Sequence, residues 1–182
     1  GRGVASGGWF NAYGPASAVA SVNPDGTVSL VEGAPDIGGS RVAMAMHVAE
    51  VLGVAAEEVK PAVGDTDSIG YTSGAGGSSV TFKTGKSAHD AAEDVKRQMI
   101  ERAARIWDVE SESVEFEGGI LRSKSDPELT MTFGELAKRL DDLEGPLVGS
   151  ATTDGGGAGG AFAGCIVDVE VDPETGKVDI LR

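Results

Sequence analysis

Apolar and polar residues alternate along Ser17-Ala18-Val19-Ala20-Ser21-Val22 and again along Thr27-Val28-Ser29-Leu30-Val31, with Pro24-Asp25-Gly26 between them. A period of two on both sides of turn residues predicts a β-hairpin. From Arg41 the period lengthens. Val42, Ala45, Met46, Ala49 and Leu52 recur at helical spacing, which predicts a helix over 41–52 with Ser40 as its N-cap and Gly53 as its terminal glycine. Residues 59–63 read as a short strand, and Pro61 confines it to a sheet edge or a bulge. Ala88, Ala92, Val95, Met99, Ala103 and Ile106 mark a longer amphipathic helix over 86–107.

The last third adds a second hairpin, Val114-Glu115-Phe116-Glu117 and Ile120-Leu121-Arg122 around Gly118-Gly119. Thr132-Phe133-Gly134-Glu135 forms a capping box ahead of Leu136, Leu140 and Leu143. A strand over 162–171, a turn over 172–176 and a closing strand over 177–181 follow. The pattern predicts an α+β fold: a mixed sheet built from β-hairpins, with two main helices packed on it, and residues 1–182 as one subdomain. The closing hairpin runs to the last residue, so the chain is expected to be cut from a longer one.

Glycine changes the picture. The 28 glycines among 182 residues are about twice the usual share of roughly 7%. They cluster without a collagen period, and two clusters stand directly before the predicted helices. One is Gly33-Ala34-Pro35-Asp36-Ile37-Gly38-Gly39-Ser40; the other is Gly74-Ala75-Gly76-Gly77-Ser78-Ser79-Val80-Thr81. Bare backbone N–H groups at a helix start, supplemented by hydroxyls, suit an anion or another oxygen-rich group.

Charge and the remaining motifs narrow the chemistry. With 15 basic against 29 acidic residues the net charge is -14, which disfavours nucleic-acid binding. No apolar run reaches the ~18–20 residues that span a bilayer, and the opening residues lack a signal peptide's apolar stretch, so a soluble, cytoplasmic protein is expected. The single Cys165 has no internal disulfide partner and is expected to be a small core residue of its strand. His47 and His89 lack a second ligand at metal spacing. Gly85-Lys86-Ser87 fails as a P-loop because its first glycine would fall at Val80, and Gly155, Gly157 and Gly160 precede a strand where a dinucleotide fingerprint needs a helix. Asp65 and Asp67 read as loop-shaping residues. No acid, base or nucleophile stands out; such loops could hold a large polar anionic cofactor that carries its own chemistry.

Gly1-Arg2-Gly3-Val4-Ala5, Asp25-Gly26-Thr27-Val28, residues 33–41, Ala49-Glu50-Val51-Leu52-Gly53, Asp65-Thr66, Gly76-Gly77-Ser78 and residues 169–176 stand in one order. In that order the chain resembles the molybdenum-cofactor-binding large subunit of the xanthine dehydrogenase, aldehyde oxidase and aerobic carbon monoxide dehydrogenase family, over essentially its whole length. The resemblance implies a molybdenum pterin cofactor (molybdopterin or its cytosine dinucleotide form). It also implies oxidative hydroxylation of a small-molecule substrate, an aldehyde or N-heterocycle, with oxygen from water, and electron transfer to iron-sulfur and flavin partners. Gly38, Gly39 and Ser40 correspond to one cofactor-facing segment and Gly76, Gly77, Ser78 and Ser79 to another.

Three departures qualify what the resemblance implies. Gly39 stands where many members have the glutamine of Gly-Gln-Gly, and Ser79 stands where an arginine often follows Gly-Ser. The family's general base, a downstream glutamate in a Gly-Glu motif, has no counterpart, so no catalytic residue is assigned. The expectation is a fragment of the large subunit, inactive and without cofactor by itself and completed by the remainder of that subunit. The alternatives are a scaffold of the same fold that has lost the cofactor, and a generic phosphate or nucleotide binder.

Overall fold

The computed structural model describes residues 1–140, 145–154 and 159–182. Leu143, Gly155, Gly156, Gly157 and Ala158 lie outside them. The predicted α+β class holds, with the strands divided among three sheets where a single sheet was expected.

The central sheet contains β2 (Ala16–Val22), β3 (Val28–Glu32), β4 (Val59–Val63) and β8 (Val148–Thr153), in the order β4-β3-β2-β8. β2 pairs antiparallel with β3 and β8, and β3 runs parallel to β4, so the sheet is mixed. Pro61 lies on the edge strand, where its missing N–H costs no ladder bond. The register puts Ala18, Ala20, Val22, Val28 and Leu30 in one buried layer.

The helices α1 (Ser40–Leu52) and α3 (Val80–Trp107) cover that layer with Met44, Val48 and Leu52 and with Ala88, Ala91, Ala92, Val95 and Met99. Alanines on both sides let α3 lie close to the strands. The approach is closest at β8, where a Cβ added to Gly149 would stand 2.2 Å from the Ala91 carbonyl oxygen.

A second sheet, β5 (Val114–Glu117), β6 (Ile120–Ser123) and β7 (Thr130–Thr132), extends the core with Phe116 and Leu121. The capping box at Thr132 and Glu135 is present and starts the short helix α4 (Phe133–Ala137). The third sheet joins β1 (Arg2–Phe10), β9 (Gly160–Val171) and β10 (Val178–Ile180) in the order β1-β9-β10.

Several local expectations change. The long helix begins at Val80, six residues before the predicted start, so Val80 and Thr81 are helical. Its first turn carries Lys83 and Thr84, polar residues that hide the apolar period but are buried. Gly39, in a left-handed conformation, caps α1 in place of Ser40; Ser40 is the first helical residue, and its hydroxyl accepts the Ile37 N–H at 3.1 Å. Asp65 caps a four-residue helix, α2 (Thr66–Ile69), by accepting the N–H groups of Asp67 and Ser68. Cys165 is exposed, contrary to the core position expected, because no layer covers its sheet among the described residues. β1 and β8 were not anticipated. β1 is glycine-rich, and its residues pair with partners 150 to 166 positions away in sequence.

Candidate functional site

The first glycine loop runs from β3 to α1, and the second runs from α2 to α3. The first begins where β3 ends at Glu32, whose side chain is 2% exposed and accepts the Ala34 N–H. Burial raises the Glu32 pKa above the usual carboxyl value, against the pull of that N–H and of Arg41. Further along, the Asp36 carboxylate accepts the Arg41 N–H at 3.0 Å and so ties the loop to α1. Gly38 and Gly39 stand at the exposed bend, and a Cβ added to either would meet nothing within 4 Å.

The second loop is held from three sides. The Ala12 N–H donates to Gly77 O at 2.8 Å, and Asn11 Nδ2 donates to Ser78 O at 2.7 Å. The Ser73 N–H donates to Pro15 O at 2.9 Å. From inside, Lys83 Nζ donates to Ser73 O and Ser73 Oγ, each at 2.6 Å, and to Gly74 O at 2.9 Å.

Gly77 and Ser78 both take left-handed backbone, with φ of 58° and 59°. At Gly77 a Cβ would also lie 2.5 Å from the Ala12 Cβ, so only glycine fits there. The N–H groups of Gly76, Gly77 and Ser78 donate to no acceptor among the described residues.

Gly76, Ser78 and Ser79 line a cavity of about 380 Å³ together with Ala75, Val80, Thr81 and Ile37. Ile37 is the first loop's contribution. Gly38, Gly39 and Ser40 do not line this cavity, and Ser40 is buried beneath its own loop. Ser79 is 2% exposed and precedes α3 without a side-chain capping bond.

A second cavity of about 540 Å³ adjoins Ser78 and Thr81 and brings together His47, His89, Phe82 and Asn11. Burial is the main cause that lowers the His47 pKa, with His89 adding to it, so His47 is disposed to be neutral. The geometry can therefore receive a polar, anionic group over free backbone N–H groups, next to an imidazole-lined hollow. Among the described residues no group of three or more His, Cys, Asp and Glu stands in metal-binding array.

Asn11, Ala12 and Lys83 were missed in the sequence. Asn11 and Ala12 carry no local signal, since they come from the end of β1. Lys83 does carry one: it opens the i+4 row Ser87, Ala91, Val95 and Met99, every member of which is buried.

Comparison with known proteins bears on what group that is. The family described as molybdopterin cofactor-binding domain matches residues 1–182. Two structures of CO dehydrogenase, one of the Cu,Mo enzyme and one of the reconstituted protein from Oligotropha carboxidovorans, each match with a TM-score of 0.86 at 25% identity. Each match covers 100% of this chain and 25% of the other. Quinoline 2-oxidoreductase from Pseudomonas putida 86 matches over 99% of this chain and 26% of its own, with a TM-score of 0.80 at 24% identity. Aldehyde oxidoreductase from Desulfovibrio desulfuricans matches over 99% of this chain and 19% of its own, with a TM-score of 0.60 at 21% identity. The chain thus spans about a quarter or less of the length of the structures it resembles. The last two likenesses speak for the fold alone.

Proposed function

Because this chain belongs to the family of molybdopterin cofactor-binding domains, we propose that its two glycine loops form one wall of a molybdopterin pocket in a longer molybdenum hydroxylase subunit. The observation that carries this is the cavity lined by Gly76, Ser78 and Ser79 of one loop and by Ile37 of the other. The residues fit such a group: the N–H groups of Gly76, Gly77 and Ser78 are free, and Gly38, Gly39 and Gly76 leave open space where a side chain would project. These loops would bind and orient the anionic and polar groups of the pterin, as molybdopterin or in its cytosine dinucleotide form. When bound, the molybdenum centre would supply the oxidation of an aldehyde, an N-heterocycle or a related substrate with oxygen from water. Electrons would pass on to iron-sulfur and flavin partners in the cytoplasm. No residue of the wall is placed as an acid or base, so residues 1–182 act as a cofactor-binding subdomain that is inactive alone.

The bare third sheet supports the larger assembly. In its register Gly3, Ala5, Gly7 and Trp9 share a face with Ala161, Ala163, Cys165, Val167, Val169 and Val171, and Val178 and Ile180 continue it. Not one polar side chain interrupts that face, and Trp9 is 57% and Ile180 75% exposed. Such a surface is suited to burial against the remainder of the large subunit.

Molybdenum and pterin analysis tests the proposal. A full-length protein carrying this domain should hold about one molybdopterin per subunit, while residues 1–182 alone should hold none in stoichiometric amount. An active full-length protein without molybdenum would refute it. In the same protein Gly77→Leu should displace the second loop from Ala12 and cut the pterin content at least tenfold. Unchanged turnover in that variant would favour the second reading, a scaffold without cofactor, which Gly39 and Ser79 make a specific competitor.

A further inference from the structure

Lys83 is 1% exposed, yet its ammonium has only neutral oxygens for partners: Ser73 O, Ser73 Oγ and Gly74 O. No carboxylate pairs with it among the described residues, and burial alone accounts for its lowered pKa. An isolated buried cation is unfavourable unless a counter-charge reaches it. The start of α3 adds partial positive charge of the same sign to the same loop. The fold thus places a buried ammonium and a helix N-terminus at one rim, and the N–H groups of Gly76, Gly77 and Ser78 are without an acceptor among the described residues. A merely structural cross-link between loop and helix does not by itself require a charge, since a neutral amide side chain also donates to carbonyl oxygens.

We propose that Lys83 is the positioning residue of the second loop: its ammonium fixes the Ser73–Gly74 oxygens so that the Gly76–Ser79 rim is set for an anionic group, whose charge balances the buried cation. The inference rests on the cofactor-pocket reading and assigns its charge complement to a residue inside the helix. It also places that complement where Ser79 offers no cation. The lysine reaches the loop from one helical turn below, and its own N–H donates to Ser79 O at 2.9 Å.

The test uses the full-length protein freed of cofactor, with inorganic pyrophosphate as the probe and hydrogen exchange of the peptide spanning 74–81 as the readout. In the native protein pyrophosphate should slow exchange of that peptide. Lys83→Met should raise the pyrophosphate midpoint at least tenfold and speed exchange even without the probe. Lys83→Gln keeps two N–H donors, enough for one oxygen each of Ser73 and Gly74, without the charge. It should restore slow exchange in the absence of pyrophosphate but leave the midpoint as weak as in Lys83→Met. The same midpoint in all three proteins, with their thermal transitions intact, would overturn the proposal. So would a native loop that pyrophosphate does not protect. The cofactor reading fails separately: native protein without molybdopterin would sink that reading, while a pyrophosphate midpoint that still depends on Lys83 would leave the role of Lys83 standing.

Discussion

The central sheet and the β1-β9-β10 sheet are written in the same code and meet opposite fates. Ala18, Ala20, Val22, Val28 and Leu30 form an apolar row in one; Val167, Val169, Val171, Val178 and Ile180 form a comparable row in the other. The first row lies at 0–3% exposure beneath α1 and α3, whereas Val171, Val178 and Ile180 are more than half exposed. Apolar patterning therefore says that a face wants cover, and the cover has to come from somewhere. In the central sheet the chain supplies it through the helices that follow the two glycine loops. In the third sheet the described residues supply none.

The comparison can be broken most sharply by truncating matched apolar residues. Met99→Ala removes a fully buried side chain of α3 from the core and should cost about 2–5 kcal/mol in chemical denaturation. Ile180→Ala should change the stability of residues 1–182 by no more than about 0.5 kcal/mol. In the full-length protein the same change should cost several-fold more if the face is covered there; an equally small effect would show that it is not.

Glycines sharpen the contrast next. Gly149→Ala forces a methyl group toward the Ala91 carbonyl and should destabilise by about 1–3 kcal/mol in thermal melts. Gly7→Ala meets nothing within 4 Å on the bare sheet and should be neutral or stabilising by up to about 0.5 kcal/mol in residues 1–182. A loss of melting temperature from both would show the third sheet to be packed after all.

The smallest effects are those of pH, and their signs differ between the sheets. Burial raises the Glu32 pKa, so the folded state holds that proton more tightly than the unfolded chain does. Stability should fall as pH rises from the ordinary 4.5 through the raised value, and Glu32→Gln should flatten that slope in a melting series. Asp168 behaves oppositely. Arg2, which donates to both its oxygens, lowers its pKa, so the pairing helps above the ordinary 3.8 and is lost as pH falls through the lowered value. Exchange of the β1 and β9 amides near Arg2 should quicken in acid, as a local effect at an exposed pair.

Much of the central architecture was legible. The hairpin of β2 and β3, the edge position of Pro61, helix α1, the capping box at Thr132 and the last hairpin all depend on contacts between near neighbours. What escaped depended on distant partners. β1 pairs with a strand near the other end of the chain, and its glycines conceal the alternation that would mark it. The first turn of α3 was hidden because Lys83 and Thr84 are polar but buried. For the candidate site, the second glycine run could be read as a rim, but the supports that shape it could not: Ala12 and Asn11 arrive from β1 and Lys83 from inside the helix.

By itself the sequence determined the elements with a local period, the excess of glycine before two helices and the order of motifs that marks the family, because each is a property of neighbouring residues. Only the tertiary structure decided that Ile37 and Gly76 share one cavity, that Cys165 lies on a bare face, and that the ammonium of Lys83 is buried against the oxygens of Ser73 and Gly74. Burial and counter-charge are relations between segments far apart in the chain, and no local pattern carries them.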